Sequence, residues 1–127
     1  MPFVLGTRSR AKLTGVHPDL VRVVERAIQL TPIDFTITEG VRSLARQKEL
    51  YAAGASQTMN SRHLSGKAID FACLVAGKVR WDWPLYGKVA AAFKQASLEL
   101  VIPIVWGGDW KSLRDGPHVE LDRRKYP

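Results

Sequence analysis

Apolar residues recur at helical spacing in three parts of the chain. The first part is Pro18–Leu30, where apolar residues return every three or four positions and Asp19 suits the positive end of the helix dipole. The second part is residues 43–53, which begins at a serine, a frequent N-cap, and is closed by Gly54. The third begins at Pro84, because proline is favoured in the first turn of a helix. The predicted apolar faces are Leu44, Leu50 and Tyr51 in the second helix, and Leu85, Val89, Ala92, Phe93 and Ala96 in the third.

Alternating apolar and polar positions predict strands between and after the helices. These strands cover residues 33–38, 67–73, 79–81, 101–106 and 117–121. Pro103 lacks a backbone donor, which favours an edge position for the fourth strand. The last strand places His118 and Glu120 on one face, and residues 55–66 are predicted to form a polar surface loop. Because helices and strands do not alternate regularly, we predict an α+β fold with a small antiparallel sheet flanked by helices.

Length and composition indicate one globular domain that covers residues 1–127. Hydrophobic residues make up 46% of the chain, which is enough for a core without disulfides. The single cysteine, Cys73, excludes an internal disulfide and a cysteine-rich metal site. Strand alternation points Cys73 away from Asp70, so we expect a buried apolar residue there. Any metal must therefore be held by histidine and carboxylate groups.

The sequence shows neither a membrane span nor a secretion signal. No stretch reaches the roughly 18 apolar residues that a spanning helix needs. The first ten residues contain two arginines without an apolar run behind them, unlike a signal peptide. We therefore expect a protein without membrane insertion that stays in the cytoplasm unless another route releases it.

The net charge of +7 points to an acidic partner. Nucleic acid and anionic cell-wall polymers or lipopolysaccharide are the candidate classes. The basic residues are scattered, apart from Arg123, Arg124 and Lys125, and no nucleic-acid-binding motif is present. We expect no nucleic-acid partner, although charge alone does not separate these classes.

Two of the three histidines lie in glycine-containing segments with a carboxylate nearby. His63 and Asp70 are separated by a turn at Gly66, and His118 follows a Gly-Pro pair. A histidine near an aspartate is more often a structural pair, but the three residues together match the ligand set of a catalytic zinc, with a fourth position open. The third histidine, His17, precedes a helix and is not expected to be a ligand.

A carboxylate beside such a metal is needed to move protons during hydrolysis. Asp115 lies three residues before His118, and the intervening Gly-Pro turn would bring it back towards the metal. Glu120 is the rival candidate, because it shares a strand face with His118. We favour Asp115. Ser61 and Ser65 are not expected to be nucleophiles, since no nucleophile elbow is present.

Two segments carry a resemblance to known zinc peptidases. The pattern Ser61-x-His63-x-x-Gly66-x-Ala68-x-Asp70 matches the SxHxxGxAxD signature of the D-alanyl-D-alanine peptidase superfamily, which includes vancomycin-resistance dipeptidases and hedgehog signalling domains. The segments 106–110 and 115–121 resemble bacteriophage endolysins that act as L-alanyl-D-glutamate peptidases. The resemblance covers about residues 35–121.

The resemblance implies a function and adds residues to the site. It implies Zn²⁺ on His63, Asp70 and His118, with Asp115 as the base, in a peptidase that hydrolyses the L-alanyl-D-glutamate bond of peptidoglycan. It also implies that Arg42, in a Gly-x-Arg context, stabilises the oxyanion, as a fixed guanidinium can. The substrate contacts that we predict are Gln47, Ser61 and Trp106.

The resemblance also implies where the enzyme acts and leaves alternatives open. A phage endolysin would wait in the host cytoplasm as a monomer and reach the cell wall after membrane permeabilisation. The same signature occurs in D-Ala-D-Ala carboxypeptidases and dipeptidases, and in non-catalytic zinc-bearing binding modules. An intact Asp115 argues against the binding module. A basic nucleic-acid-binding protein is the remaining alternative and rests on charge alone.

Overall fold

The computed structural model describes residues 2–55 and 61–127, which form four α-helices and five strands. Short 3-10 turns lie at Arg62–Ser65 and Gly107–Asp109. The helices are α1 (Thr7–Lys12), α2 (Pro18–Leu30), α3 (Leu44–Ala52) and α4 (Trp83–Leu100); the strands are β1 (Asp34–Glu39), β2 (Ala68–Val75), β3 (Lys78–Arg80), β4 (Ile104–Trp106) and β5 (His118–Leu121).

The strands form one antiparallel sheet with the order β1-β2-β5-β4. The first half of β2 pairs with β5 and its second half with β3, while β1 runs along its other side. The register places Asp70 between Glu39 on one side and His118 on the other. The predicted α+β class and the edge position of β4 are confirmed.

The core lies between the sheet and the helices α2 and α4. Phe35, Phe71 and Phe93 form its centre, with ring centroids 5.2 to 5.9 Å apart. Cys73 is fully buried on the same strand as Phe71, as predicted. Asp70 lies on the opposite face of β2 from Phe71 and Cys73, so this strand separates the core from the cluster around Asp70. No helix of the described residues is long and apolar enough to span a membrane.

Several elements differ from the sequence prediction. Helix α1 was not predicted, and the strand expected from residue 101 begins at Ile104, because Val101 takes a left-handed conformation that ends α4. The apolar stripe predicted for α3 is wrong: Leu44 and Tyr51 are about half exposed, and the buried residue is Gln47. Of the predicted loop at 55–66, residues 56–60 lie outside the described residues, and the end of the loop is the 3-10 turn that buries His63.

Candidate functional site

Strand pairing and one tight turn bring the three predicted ligands together. Asp70 and His118 are cross-strand partners on β2 and β5. His63 is placed by the 3-10 turn, where the Ser61 hydroxyl accepts a 3.2 Å hydrogen bond from the His63 amide. Gly66 ends this turn at φ +72°, and a Cβ there would lie 2.7 Å from a backbone oxygen of residue 15, so only glycine fits.

The ligand atoms converge on Asp70. Its Oδ1 atom lies 3.3 Å from His63 Nε2 and 3.4 Å from His118 Nδ1. Oδ1 is buried and has no hydrogen-bond partner among the described residues. The three ligand atoms lie within 4.8 Å of one another. A buried carboxylate oxygen without a partner, between two imidazole nitrogens, fits a metal ion that all three residues would share.

Each histidine is held by its other ring nitrogen. His63 Nδ1 lies 3.0 Å from the carbonyl oxygen of Gly40, and His118 Nε2 lies 2.9 Å from Glu120 Oε1. Such partners fix the orientation and tautomer of ligand histidines. They leave Nε2 of His63 and Nδ1 of His118 directed at Asp70.

The charges of the cluster stabilise one another. Burial favours the neutral form of Asp70, but His118 and His63 beside it hold the pKa of its carboxyl far below its usual range. Burial also disfavours the charged form of His118, yet Asp70 and Glu120 raise its pKa to about 9. The site thus favours positive charge next to Asp70, whether from a proton or from a metal ion.

Asp115 lies in the same cavity as the cluster. Its amide donates to the carbonyl oxygen of Gly107 at 3.0 Å, and its own carbonyl accepts from the His118 amide at 3.2 Å. Burial and the negative charge of Asp70 raise the pKa of Asp115, against the positive groups nearby. The cavity has a volume of about 750 Å³, and six of the predicted site residues line it: Arg42, Ser61, His63, Asp70, Asp115 and His118.

Glu120 occupies a different place from Asp115. It contacts the edge of the His118 ring opposite to Asp70 and does not line the cavity. Its second oxygen lies 3.6 Å from Arg62 Nε and 3.5 Å from Arg123 Nε. Glu120 therefore contacts the His118 ring from outside the cavity, whereas Asp115 lies within the cavity.

Arg42 forms a rigid cation at the cavity wall. Its Nε and Nη2 donate to the two oxygens of Glu39 at 2.7 and 2.6 Å, and its Nη1 donates to Gln47 Oε1 at 2.8 Å. Nη2 also lies 3.8 Å from Asp70 Oδ2. The Ser61 hydroxyl is 3.5 Å from Nη1. The guanidinium is thus fixed beside the cluster.

Two predicted substrate contacts do not reach the cavity. Gln47 is fully buried and supports Arg42 from behind. Trp106 is 8% exposed, and its indole nitrogen donates to the Gly116 carbonyl at 2.7 Å, so it packs beneath the site. Trp110, which is not among the predicted substrate contacts, lines the cavity and packs on His118 with ring centroids 5.0 Å apart.

Two further charged residues line the cavity without having been singled out from the sequence. Glu39 ends β1 three residues before Arg42, and this spacing of opposite charges could have indicated from the sequence that the two residues form an ion pair. Arg114 precedes Asp115 in a loop, and nothing in the local pattern distinguished it from a surface arginine.

The chain is similar over nearly its whole length to known peptidases. The chain is 39% identical over 130 aligned positions to the L-alanyl-D-glutamate peptidase of Escherichia phage T5, covering 99% of this chain and 94% of that protein. The crystal structure of the Serratia marcescens L-Ala D-Glu endopeptidase ChiX superposes with a TM-score of 0.94 at 47% identity, covering 99% of this chain and 95% of that one.

A more distant structure shares the fold. A vancomycin-resistance D,D-dipeptidase in complex with a D-Ala-D-Ala phosphinate analogue superposes with a TM-score of 0.56 at 17% identity, over 84% of this chain and 50% of that one. The sequence model of the phage L-alanyl-D-glutamate peptidases matches residues 1–126. The chain therefore belongs to the family of phage L-alanyl-D-glutamate peptidases.

Proposed function

We propose that this protein is a zinc-dependent endopeptidase that hydrolyses the L-alanyl-D-glutamate bond of the peptidoglycan stem peptide. The observation that carries the proposal is the buried Asp70 Oδ1 atom, which accepts no hydrogen bond and lies between two histidine nitrogens in a cavity that also holds Asp115. The choice of the L-alanyl-D-glutamate bond follows from the names of the phage T5 and Serratia relatives. As in a phage endolysin, the reaction would open the host cell wall once the membrane is permeable.

The ligand set favours zinc over other common metals. Two imidazoles and one carboxylate are typical of catalytic zinc sites, whereas calcium and magnesium prefer oxygen ligands alone. His63, Asp70 and His118 would hold the ion, and the cavity gives a substrate access to its open side. Zinc in such a site supplies Lewis acidity, which activates water and polarises a carbonyl group.

Asp115 would carry the proton in this reaction. Its carboxylate takes a proton from the attacking water and passes it to the nitrogen of the leaving amine. The raised pKa that burial and Asp70 give to Asp115 suits a group that must both accept and return a proton. Arg42 would place a fixed positive charge near the carbonyl oxygen, where negative charge develops.

Digestion of purified peptidoglycan tests the proposed bond. We expect new amino termini on D-glutamate, loss of activity with a chelator, and recovery when zinc is added back. Release of D-alanine without D-glutamate termini would instead identify a carboxypeptidase of the same superfamily. Zinc binding without any wall hydrolysis would identify a binding module.

A pair of variants tests the assignment of the proton carrier. We expect Asp115→Asn to lower kcat by about 10²- to 10⁴-fold while the zinc content stays at the wild-type level. Glu120→Gln, compared at saturating zinc, is the control, because it removes a carboxylate that contacts His118 but does not line the cavity. If Glu120→Gln abolishes turnover and Asp115→Asn does not, the roles are reversed.

A further inference from the structure

Two arginines line the cavity, and their guanidinium groups differ in the partners that they contact. Arg42 already donates to both oxygens of Glu39 and to Gln47 Oε1. Arg114 also lines the cavity, but no carboxylate lies within 4.0 Å of its guanidinium in residues 2–55 and 61–127. Of these two arginines, Arg114 is therefore the one whose terminal nitrogens are available for a two-oxygen contact with a ligand carboxylate.

The Arg114 guanidinium is held in place although its side chain is exposed. Its Nε donates to the Gly108 carbonyl oxygen at 2.9 Å, and its Cζ atom lies over the Trp83 ring, 4.5 Å from the ring centroid. The Nη1 and Nη2 groups have no acceptor within the described part of the chain. A planar fork that is fixed at one nitrogen and has free terminal donors is suited to a carboxylate.

The substrate of the proposed function carries such a carboxylate next to the bond that is cut. The amine of D-glutamate forms the scissile amide, and one of its two carboxyls continues the peptide. The other carboxyl remains free and lies within the same residue as the leaving nitrogen. Asp115 becomes negative again when it gives its proton to that nitrogen, so a cation that binds the free carboxylate would lower the repulsion between the two groups.

We infer that Arg114 binds the free carboxylate of the D-glutamyl residue on the leaving side of the scissile bond. This inference rests on the proposed function and adds the residue that selects the substrate. Arg114 directly precedes Asp115 in the chain, so the cation and the proton carrier are positioned by the same loop. The enzyme then prefers D-glutamyl stem peptides over peptides in which this carboxyl is an amide.

Two synthetic stem peptides test the inference with the zinc-loaded enzyme. One peptide has D-glutamate, and the other has the same residue with its free carboxyl amidated. We expect Arg114→Gln to lower kcat/KM for the carboxylate peptide by about 10- to 100-fold, mainly through KM, because a hydrogen-bonded charge is lost. For the amidated peptide we expect a change of less than about threefold, so the wild-type preference disappears.

Lys111→Gln is the matched control, because it removes one positive charge from the same loop at a residue that does not line the cavity. It should leave the ratio of the two kcat/KM values unchanged, and Arg114→Lys should restore part of the preference. Equal losses for both peptides in Arg114→Gln, or no loss for either, would overturn the inference. If the wild-type enzyme cleaves neither peptide between L-alanine and D-glutamate, the proposed function itself fails, which is a separate outcome.

Discussion

Replacing Gly107 with alanine should uncouple hydrolysis from metal binding. A Cβ at this position would lie 2.3 Å from the Asp115 carbonyl oxygen and 3.1 Å from the Asp115 Cβ. Ordinary contacts begin at 3.4 Å, so the Asp115 backbone would have to move by about 1 Å. A misplacement of that size costs about 10²-fold in rate, or about 2.7 kcal/mol of transition-state stabilisation. Rotation of a side chain cannot relieve the clash, because the closest atom belongs to the backbone.

The assay compares kcat at saturating zinc, zinc content and melting temperature. The His118 Cβ lies 3.0 Å from the same added atom, so a small loss of zinc affinity is expected beside the larger loss in kcat. Gly87→Ala is the control: it lies inside α4 with no atom within 4 Å of an added Cβ, and should keep full activity while raising the free energy of unfolding by about 1 kcal/mol. A Gly107→Ala enzyme with wild-type kcat would refute the reasoning.

Three other predictions follow from the contacts of the site and the core. Glu120→Ala should weaken zinc binding by about 10- to 100-fold, measured by competition with a chromophoric chelator, because His118 loses the partner that orients it; equal affinity in wild type and variant would contradict this. Phe93→Ala should lower the free energy of unfolding by about 3 to 5 kcal/mol in urea titrations, since this ring is fully buried at the centre of the core. Burial raises the pKa of Cys73 from 9.0 to about 11, so the unfolded chain loses this proton first and stability should fall as pH rises from 9 towards 11. Urea titrations across that range should show a shallower fall for Cys73→Ala than for wild type; identical slopes would argue against the shift.

The cluster of His63, Asp70 and His118 was predictable because it follows from residue types and their spacing and does not depend on detailed packing. Only three histidines are present, and two of them lie near carboxylates in turn-forming segments. The strand prediction for residues 67–73 and 117–121 already placed Asp70 and His118 on strands, and the structure shows that the two strands pair. The long helices α2 and α4 were also predicted, because their apolar residues face one core.

The supporting residues were harder to predict because they depend on contacts between distant segments. Gln47 is buried on a helix where Leu44 and Tyr51 are about half exposed, which reverses the usual pattern and follows from the contact of Gln47 with Arg42. Trp106 and Trp110 lie in the same short segment, and only the tertiary structure decides which one reaches the cavity. Helix α1 has six residues, too few for periodicity to identify it.

The pairing of Asp70 with His118 across β2 and β5 gives a bound metal ion a mechanical role as well. The two residues are far apart in the chain, and an ion that joins them closes a long loop as a disulfide does in secreted proteins. With a single cysteine, the chain has no disulfide of its own to do this. A shift of one residue in the β2–β5 register would turn His118 to the other face of the sheet, so only the native register allows one ion to bind both Asp70 and His118. Metal binding would therefore stabilise only the native register, and a sheet in another register would be inactive and would gain no stability from the ion.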